Sequence, residues 1–142
     1  MIYTNVAFFL TPKSEVSFLY SDCTVRQGLE KLKRCGYTAI PVIDKSGVYV
    51  GMIREGDFLK YFTDGGSLRD TEGVKLTDIL RADSTPPEYI TVSMEKIIER
   101  AINNNFVPIV DDSGIFIGII TRGKVMKYLT NEIARNAFSS IE

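Results

Sequence analysis

Apolar residues recur along this chain with two periods, and the periods come in the same order twice. Val25, Gly28, Leu29 and Leu32 fall at helical spacing, as do Met94, Ile97, Ile98 and Ala101. Thr24 and Ser93 stand immediately before these runs as competent N-caps. Each helix is followed by a short apolar run opening on proline, Pro41-Val42-Ile43 and Pro108-Ile109-Val110, where a strand needs no amide donor. Asp44-Lys45-Ser46-Gly47 and Asp111-Asp112-Ser113-Gly114 predict tight turns. The runs after them, Val48 to Ile53 and Ile115 to Ile120, are apolar on both faces and predict central strands. A closing helix follows, from about Glu55 to Phe62 and from Arg122 into the tail, and a short apolar lead-in precedes each first helix. Each half therefore reads β-α-β-β-α.

The two halves are copies. From Pro41 to Tyr61 the chain repeats at an offset of 67, with Pro41/Pro108, Asp44/Asp111, Ser46/Ser113, Gly47/Gly114, Gly51/Gly118, Gly56/Gly123, Lys60/Lys127 and Tyr61/Tyr128 identical. The helices align best at 69, Thr24-Val25 with Ser93-Met94, and Val6 to Leu10 aligns with Leu76 to Leu80 at 70. Setting Gly36-Tyr37 on Asn105-Phe106, as residues suited to a left-handed helix cap, leaves Thr38 and Ala39 without counterparts. Thr63 to Gly73 is polar and Gly-rich, and the organisation expected is one repeat over 1–66, a linker over 67–75, and a second repeat with a C-terminal helix over 76–142. Units of this size are marginal alone. The fold class expected is α/β (α+β), two repeats packed about a pseudo-twofold axis.

Composition narrows the chemistry. The 142 residues are 44% hydrophobic and 25% charged, which suits a packed core. With 17 Lys and Arg against 18 Asp and Glu, the formal charge is -1, and no global electrostatic case exists for nucleic acid or an anionic membrane. There is no His, which excludes Ser-His-Asp and Cys-His catalysis and His-ligated metals. Neither a Gly-x-Gly-x-x-Gly nor a Walker loop occurs, so the chain is not expected to be an enzyme. Asp111-Asp112-Ser113-Gly114 lacks the later ligands of an EF-hand. Cys23 and Cys35, 12 apart, match no zinc or redox spacing and are expected as free thiols in a helical segment. Met1 to Val6 is unlike a signal peptide, and no run approaches the roughly 20 apolar residues of a membrane span. A cytoplasmic location is expected.

The pattern Thr-Val, helix, Pro-Val-Ile-Asp, Gly, then Gly51-Met52-Ile53-x-x-x-Asp57 resembles a CBS domain, and the duplication resembles the tandem CBS pair, or Bateman module. Gly36 to Pro41 and Asn103 to Pro108 further resemble stand-alone bacterial CBS proteins, some of which bind cyclic di-AMP. The resemblance implies a regulatory module that dimerises and binds adenine-containing nucleotides between its repeats. It implies a Ser/Thr-x-x-Asp signature after the Gly-φ-φ strand (φ apolar), the Asp accepting from ribose hydroxyls and the Ser/Thr near ribose or phosphate. It implies nucleotide contacts from Thr24, Thr38, Ala39, Ile40, Pro41, Arg54 and Asp57 in the first copy. In the second it implies contacts from Ser93, Phe106, Val107, Pro108, Thr121, Arg122 and Lys124. The ligand implied is AMP, ADP, ATP or cyclic di-AMP, with no metal.

Both copies depart from that signature: Arg54 stands in the Ser/Thr place of the first, and Lys124 in the Asp place of the second. A carboxylate at Asp57 suits a vicinal diol, and a lysine at 124 suits a phosphate. A conventional site is expected in the first copy rather than in both. The same residues also have plainer readings: Thr121 as an N-cap, Asp57 as a complement to the helix dipole, the cations as solvated surface. Symmetry is expected to bring Arg54, Arg122 and Lys124 to one basic cleft. The aromatic residues are expected mostly in the core, with Tyr61 and Tyr128 as candidates for a dimer surface. Two functions follow: a nucleotide sensor signalling to an effector protein as a homodimer, or an interaction and dimerisation module whose nucleotide sites have decayed.

Overall fold

In the computed structural model, residues 5–81 and 84–141 are described, with side chains through residue 137. Met1–Thr4, part of the stretch read as unlike a signal peptide, lie outside the described residues. The β-α-β-β-α order holds in both halves. The first half contributes β1 (Thr11–Pro12), β2 (Leu19–Tyr20), α1 (Val25–Cys35), β3 (Ala39–Ile43), β4 (Tyr49–Arg54) and α2 (Glu55–Thr63). The second contributes β5 (Glu88–Tyr89), α3 (Met94–Ala101), β6 (Phe106–Val110), β7 (Phe116–Thr121) and α4 (Arg122–Ile141). One sheet runs β2-β3-β4, the other β1-β7-β6-β5. β7 is central, as expected. β4 is an edge strand of its sheet, contrary to expectation; Gly51, Met52 and Ile53 are buried by packing rather than by a fourth strand, and Val50 is exposed.

Local chemistry explains the elements. Thr24 Oγ1 accepts from Gln27 N at 3.1 Å while Gln27 Oε1 accepts from Thr24 N at 2.8 Å, a reciprocal cap on α1. Ser93 Oγ caps α3 by accepting from Lys96 N. The two Asp-x-Ser-Gly turns are the same object: Asp44 Oδ1 accepts from Ser46 N and Val48 N, and Asp111 Oδ1 from Ser113 N and Ile115 N, at 2.9 and 3.0 Å in both. Gly47 and Gly114, at φ 90° and 83°, close them. Asp111 is thereby committed to its turn. Both cysteines are free; Cys35 ends α1, but Cys23 precedes the cap and lies outside the helix.

Each repeat seals the other's core. Val6 and Leu76, counterparts at offset 70, both begin 3-10 turns and are almost fully buried. Leu76 packs with Val25, Ile40, Ile53 and Phe58 of the first repeat, and Val6 with Met94, Ile97, Val107 and Ile120 of the second. Gly28 makes room for this: a Cβ there would stand 2.8 Å from Leu76 Cδ1. The 67–75 segment lies against α1, with Val25 N donating to Val74 O and Thr71 fully buried.

A third cluster joins the two sheets, with Ile43 against Phe116 and Ile119. Three contacts here link residues 67 apart: the Val48–Ile115 bridge, the stacked rings of Tyr49 and Phe116 at 6.2 Å, and Asn105 Nδ2 donating to Thr38 Oγ1 at 3.3 Å. A residue touching its own counterpart lies on the axis relating the copies, so these pairs trace the pseudo-twofold. The strand registers agree, Ala39 opposite Arg54 and Phe106 opposite Thr121. Thr38 and Ala39 therefore do have counterparts, Asn105 and Phe106. The shortening falls at the helix end, α1 running 11 residues and α3 eight. Gly36 is left-handed at φ 71°, whereas no non-glycine described residue has positive φ, so Asn105 does not repeat that cap.

Candidate functional site

The starts of α2 and α4 flank the axis. Glu55 N donates to Thr38 O at 3.0 Å and Arg122 N to Asn105 O at 2.8 Å, so a continuous chain of bonds runs from one helix start through the Thr38–Asn105 pair to the other. The strands fix this because β3 begins opposite the end of β4, where α2 starts, and β6 begins opposite the end of β7, where α4 starts. Each helix start then meets residues of the opposite repeat.

At α2, Asp57 is buried, with 5% of its surface exposed, and both carboxylate oxygens are engaged. Oδ2 accepts from Arg54 N at 2.8 Å and Oδ1 from Arg81 Nε at 3.0 Å. The Arg54 guanidinium donates to Thr85 Oγ1 and to Asn104 Oδ1 at 3.5 Å. Ser84 Oγ bonds both Met52 N and Met52 O, and Tyr49 OH donates to Thr85 O at 2.7 Å. Burial pushes the Tyr49 phenol up, against the lowering fields of Arg100 and Arg54, so it stays a donor. Arg81, Ser84 and Thr85 thus lie along the free edge of β4.

At α4 the same positions carry other chemistry. Thr121 Oγ1 accepts from Lys124 N at 3.3 Å, an N-cap, and Lys124 Nζ donates to Thr11 Oγ1 at 2.8 Å. Asp57 and Lys124 are counterparts at 67, and Arg81 and Thr11 at 70, so an ion pair on one side faces a single cation on the other. The adjacent cavities differ in sign accordingly. The first, about 460 Å³, is rimmed by Asp57, Asp64 and Asp78 with Lys60 and Arg81. The second, about 470 Å³, is rimmed by Lys124, Lys127 and Arg135 with Glu132 over Phe9 and Tyr128.

Several expectations change. Arg54, Arg122 and Lys124 do not share a basic cleft: Arg54 turns to Thr85 and Asn104, Lys124 to Thr11, and Arg122 Nε donates to Ala101 O at 2.8 Å across the end of α3. Tyr128 is buried edge-to-face on Phe9, 5.3 Å between centroids, rather than presented on the surface. Thr24 and Ser93 serve as helix caps, and Ile40, Pro41, Val107 and Pro108 are buried in their strands. Ala39 is buried too, and Phe106 is half-buried against the central cluster. Sequence reasoning missed Thr11, Arg81, Ser84, Thr85 and Asn104. Their signal was the 70-residue offset, which maps the segment before each repeat onto the other.

Residues 10–64 and 76–131 match the model of the CBS domain. The chain belongs to the CBS-domain family. It is 26% identical over 135 residues to "Cyclic di-AMP receptor B" of Bacillus subtilis (strain 168), covering 94% of this chain and 91% of that protein. Its fold superposes on the crystal structure of CbpB in complex with c-di-AMP with a TM-score of 0.85 at 20% identity, covering 96% of this chain and 91% of that one. The crystal structure of CBSX2 in complex with AMP is similar at TM-score 0.73 and 25% identity, covering 89% and 96%. Among the described residues no helix is long and apolar enough to cross a membrane.

Proposed function

We propose that this chain is a cytoplasmic, non-catalytic sensor: it binds an adenine-containing nucleotide between its CBS repeats and signals to an effector protein as a homodimer. Residues 1–66 and 76–142 act as the two halves, joined by 67–75. The observation that carries the reading is the Lys124–Thr11 contact. An exposed cation stands at the start of a 20-residue helix, beside a hydroxyl of the opposite repeat. Helix amides, a cation and hydroxyls are what a phosphate selects. The similar proteins support an adenine ligand, since one is named a cyclic di-AMP receptor and another holds AMP. With no His in the chain, binding without turnover is the economical reading.

The seat is assembled from Thr11 and Thr38 of the first repeat and Thr121 and Lys124 of the second. A nucleotide there regulates only by favouring one arrangement of the repeats over another. Titration calorimetry with AMP, ADP, ATP and cyclic di-AMP is the test. Saturable binding of at least one is expected, and silence from all four at millimolar ligand overturns the reading.

One observation favours the second reading, an interaction and dimerisation module. On the α2 side, Arg81 and Arg54 N already occupy the carboxylate that would hold a ribose.

A further inference from the structure

We infer that the groove between β2 and α1 docks an acidic segment of a partner protein, whose carboxylates take Lys31 and Arg34. The inference rests on the effector reading above and adds the surface and the chemistry it selects. The second repeat shows how this place is closed from within. Arg100 on α3 gives Nη1 to Glu88 Oε1 on β5 at 2.8 Å and Nη2 to Pro86 O at 2.7 Å. The Arg100 and Glu88 side chains are 14% and 18% exposed, so the pair clasps strand and helix together.

The first repeat lacks the clasp. At the offset of 69, Lys31 stands for Arg100 and Leu19 for Glu88. Leu19 is buried in the core of its own repeat and offers no charge. A groove of about 680 Å³ remains there, with Phe18, Tyr20 and Cys23 on the strand side and Gln27, Lys31 and Arg34 on the helix side. None of these residues belongs to the nucleotide seat at Thr11, Thr38, Thr121 and Lys124.

Charge names the occupant. The anions at the rim are already engaged: Asp22 Oδ2 lies 3.5 Å from Lys45 Nζ, and Glu30 Oε1 3.2 Å from Arg26 Nε. The side chains of Lys31, half-buried, and Arg34, exposed, make no ion pair or hydrogen bond among the described residues. Three residues apart, they share one face of α1 and leave the groove with an excess of positive charge. The counterpart of Lys31 holds a carboxylate, and a cation partly withdrawn from water gains by doing the same. Phe18 and Tyr20 meet edge to face at 5.6 Å, and Tyr20 is 40% exposed. They supply an aromatic wall for an apolar side chain set between acidic ones.

A capped peptide, Glu-Glu-Leu-Phe-Glu-Glu, titrated into the isotopically labelled chain tests the surface. Backbone amide shifts are expected to saturate, to cluster between residues 18 and 34, and to weaken as salt rises. Lys31→Gln with Arg34→Gln is expected to weaken the peptide at least about tenfold, with circular dichroism and nucleotide affinity retained. A Gln-Gln-Leu-Phe-Gln-Gln peptide is expected to bind the unaltered chain at least about tenfold more weakly. No saturable shift at millimolar peptide, or shifts confined to α4, overturns the surface and leaves the nucleotide reading standing. Equal binding by the double variant overturns the role of the two cations. A single-stranded oligothymidylate that binds this groove as tightly as the peptide overturns the protein partner in favour of nucleic acid. Calorimetric silence to every nucleotide strikes the sensor reading and leaves the peptide result to stand on its own.

Discussion

The carboxylate of Asp57 and the guanidinium of Arg81 meet across the two repeats at 3.0 Å, on a side chain whose other oxygen already accepts from Arg54 N. The aspartate that the family signature offers to a ribose is thus satisfied by the protein itself. Arg81 is 55% exposed, so the pair contributes little to stability, but a diol has to displace it. The unaltered chain is expected to take one adenine nucleotide, on the Lys124 side. Arg81→Ala is expected to take two, the second losing affinity when the ligand lacks its ribose 2′-hydroxyl. A calorimetric stoichiometry that stays at one shows that Arg81 does not close the site.

Lys124 occupies the equivalent position with the opposite sign. It is exposed and touches Thr11, so Lys124→Gln leaves packing intact. Affinity for AMP is expected to fall about tenfold, near 1.4 kcal/mol, with the melting temperature unchanged. Adenosine, which has no phosphate, is expected to bind both forms alike. Equal loss for adenosine and AMP places the phosphate elsewhere.

These two predictions separate what the sequence carried from what it did not. The Asp44 and Asp111 turns were legible because every bond in them lies within five residues. The recurrence of Val6 and Leu76 was visible at the offset of 70, but an alignment does not say what a residue packs against, and each proves to fill the other repeat's core. Aligning Asn105 with Gly36 matched a cap propensity. The strand ladder instead matches Asn105 with Thr38, because register is held by successive backbone bonds and helix length is not. Arg54 and Lys124 were visible as departures from a signature; their partners Thr85, Asn104 and Thr11 are 31, 50 and 113 residues away, where no local pattern reaches.

Tyr49 supplies a proton-linked prediction. Its phenol is buried, donates to Thr85 O, and is held above its ordinary value of 10.0 chiefly by burial. Below about pH 10 both folded and unfolded chains keep the proton, and the residue adds no pH dependence. Above it the unfolded chain releases the proton first, so stability falls as pH rises. Tyr49→Phe keeps the ring on Phe116 and loses the bond, costing about 1 kcal/mol at neutral pH. It is also expected to flatten the decline above pH 10 in urea unfolding. An unaltered slope assigns the alkaline loss to other groups.

Gly51 and Gly118 are counterparts in the middle of β4 and β7, and the segments beside them predict unequal fates. A Cβ on Gly118 would stand 2.2 Å from Thr11 O and 3.1 Å from Pro12 Cα, both backbone atoms of β1, which pairs with β7 there. Backbone locked in a ladder cannot yield, so Gly118→Ala has to break the β1–β7 pairing. The nearest atoms to a Cβ on Gly51 belong to side chains, Leu80 Cδ2 and Ser84 Cβ at 3.2 Å and Ser84 Oγ at 3.3 Å. Leu80 and Ser84 belong to no strand of the sheet and have to give by only a few tenths of an ångström. Gly118→Ala is expected to cost about 3 kcal/mol in urea unfolding and Gly51→Ala less than about 1 kcal/mol. Because Thr11 lies in the displaced strand, Gly118→Ala is also expected to weaken AMP binding, which Gly51→Ala leaves in place. Equal costs for the two substitutions would mean that β1 is no more firmly held to its sheet than the Leu80–Ser84 side chains are to theirs.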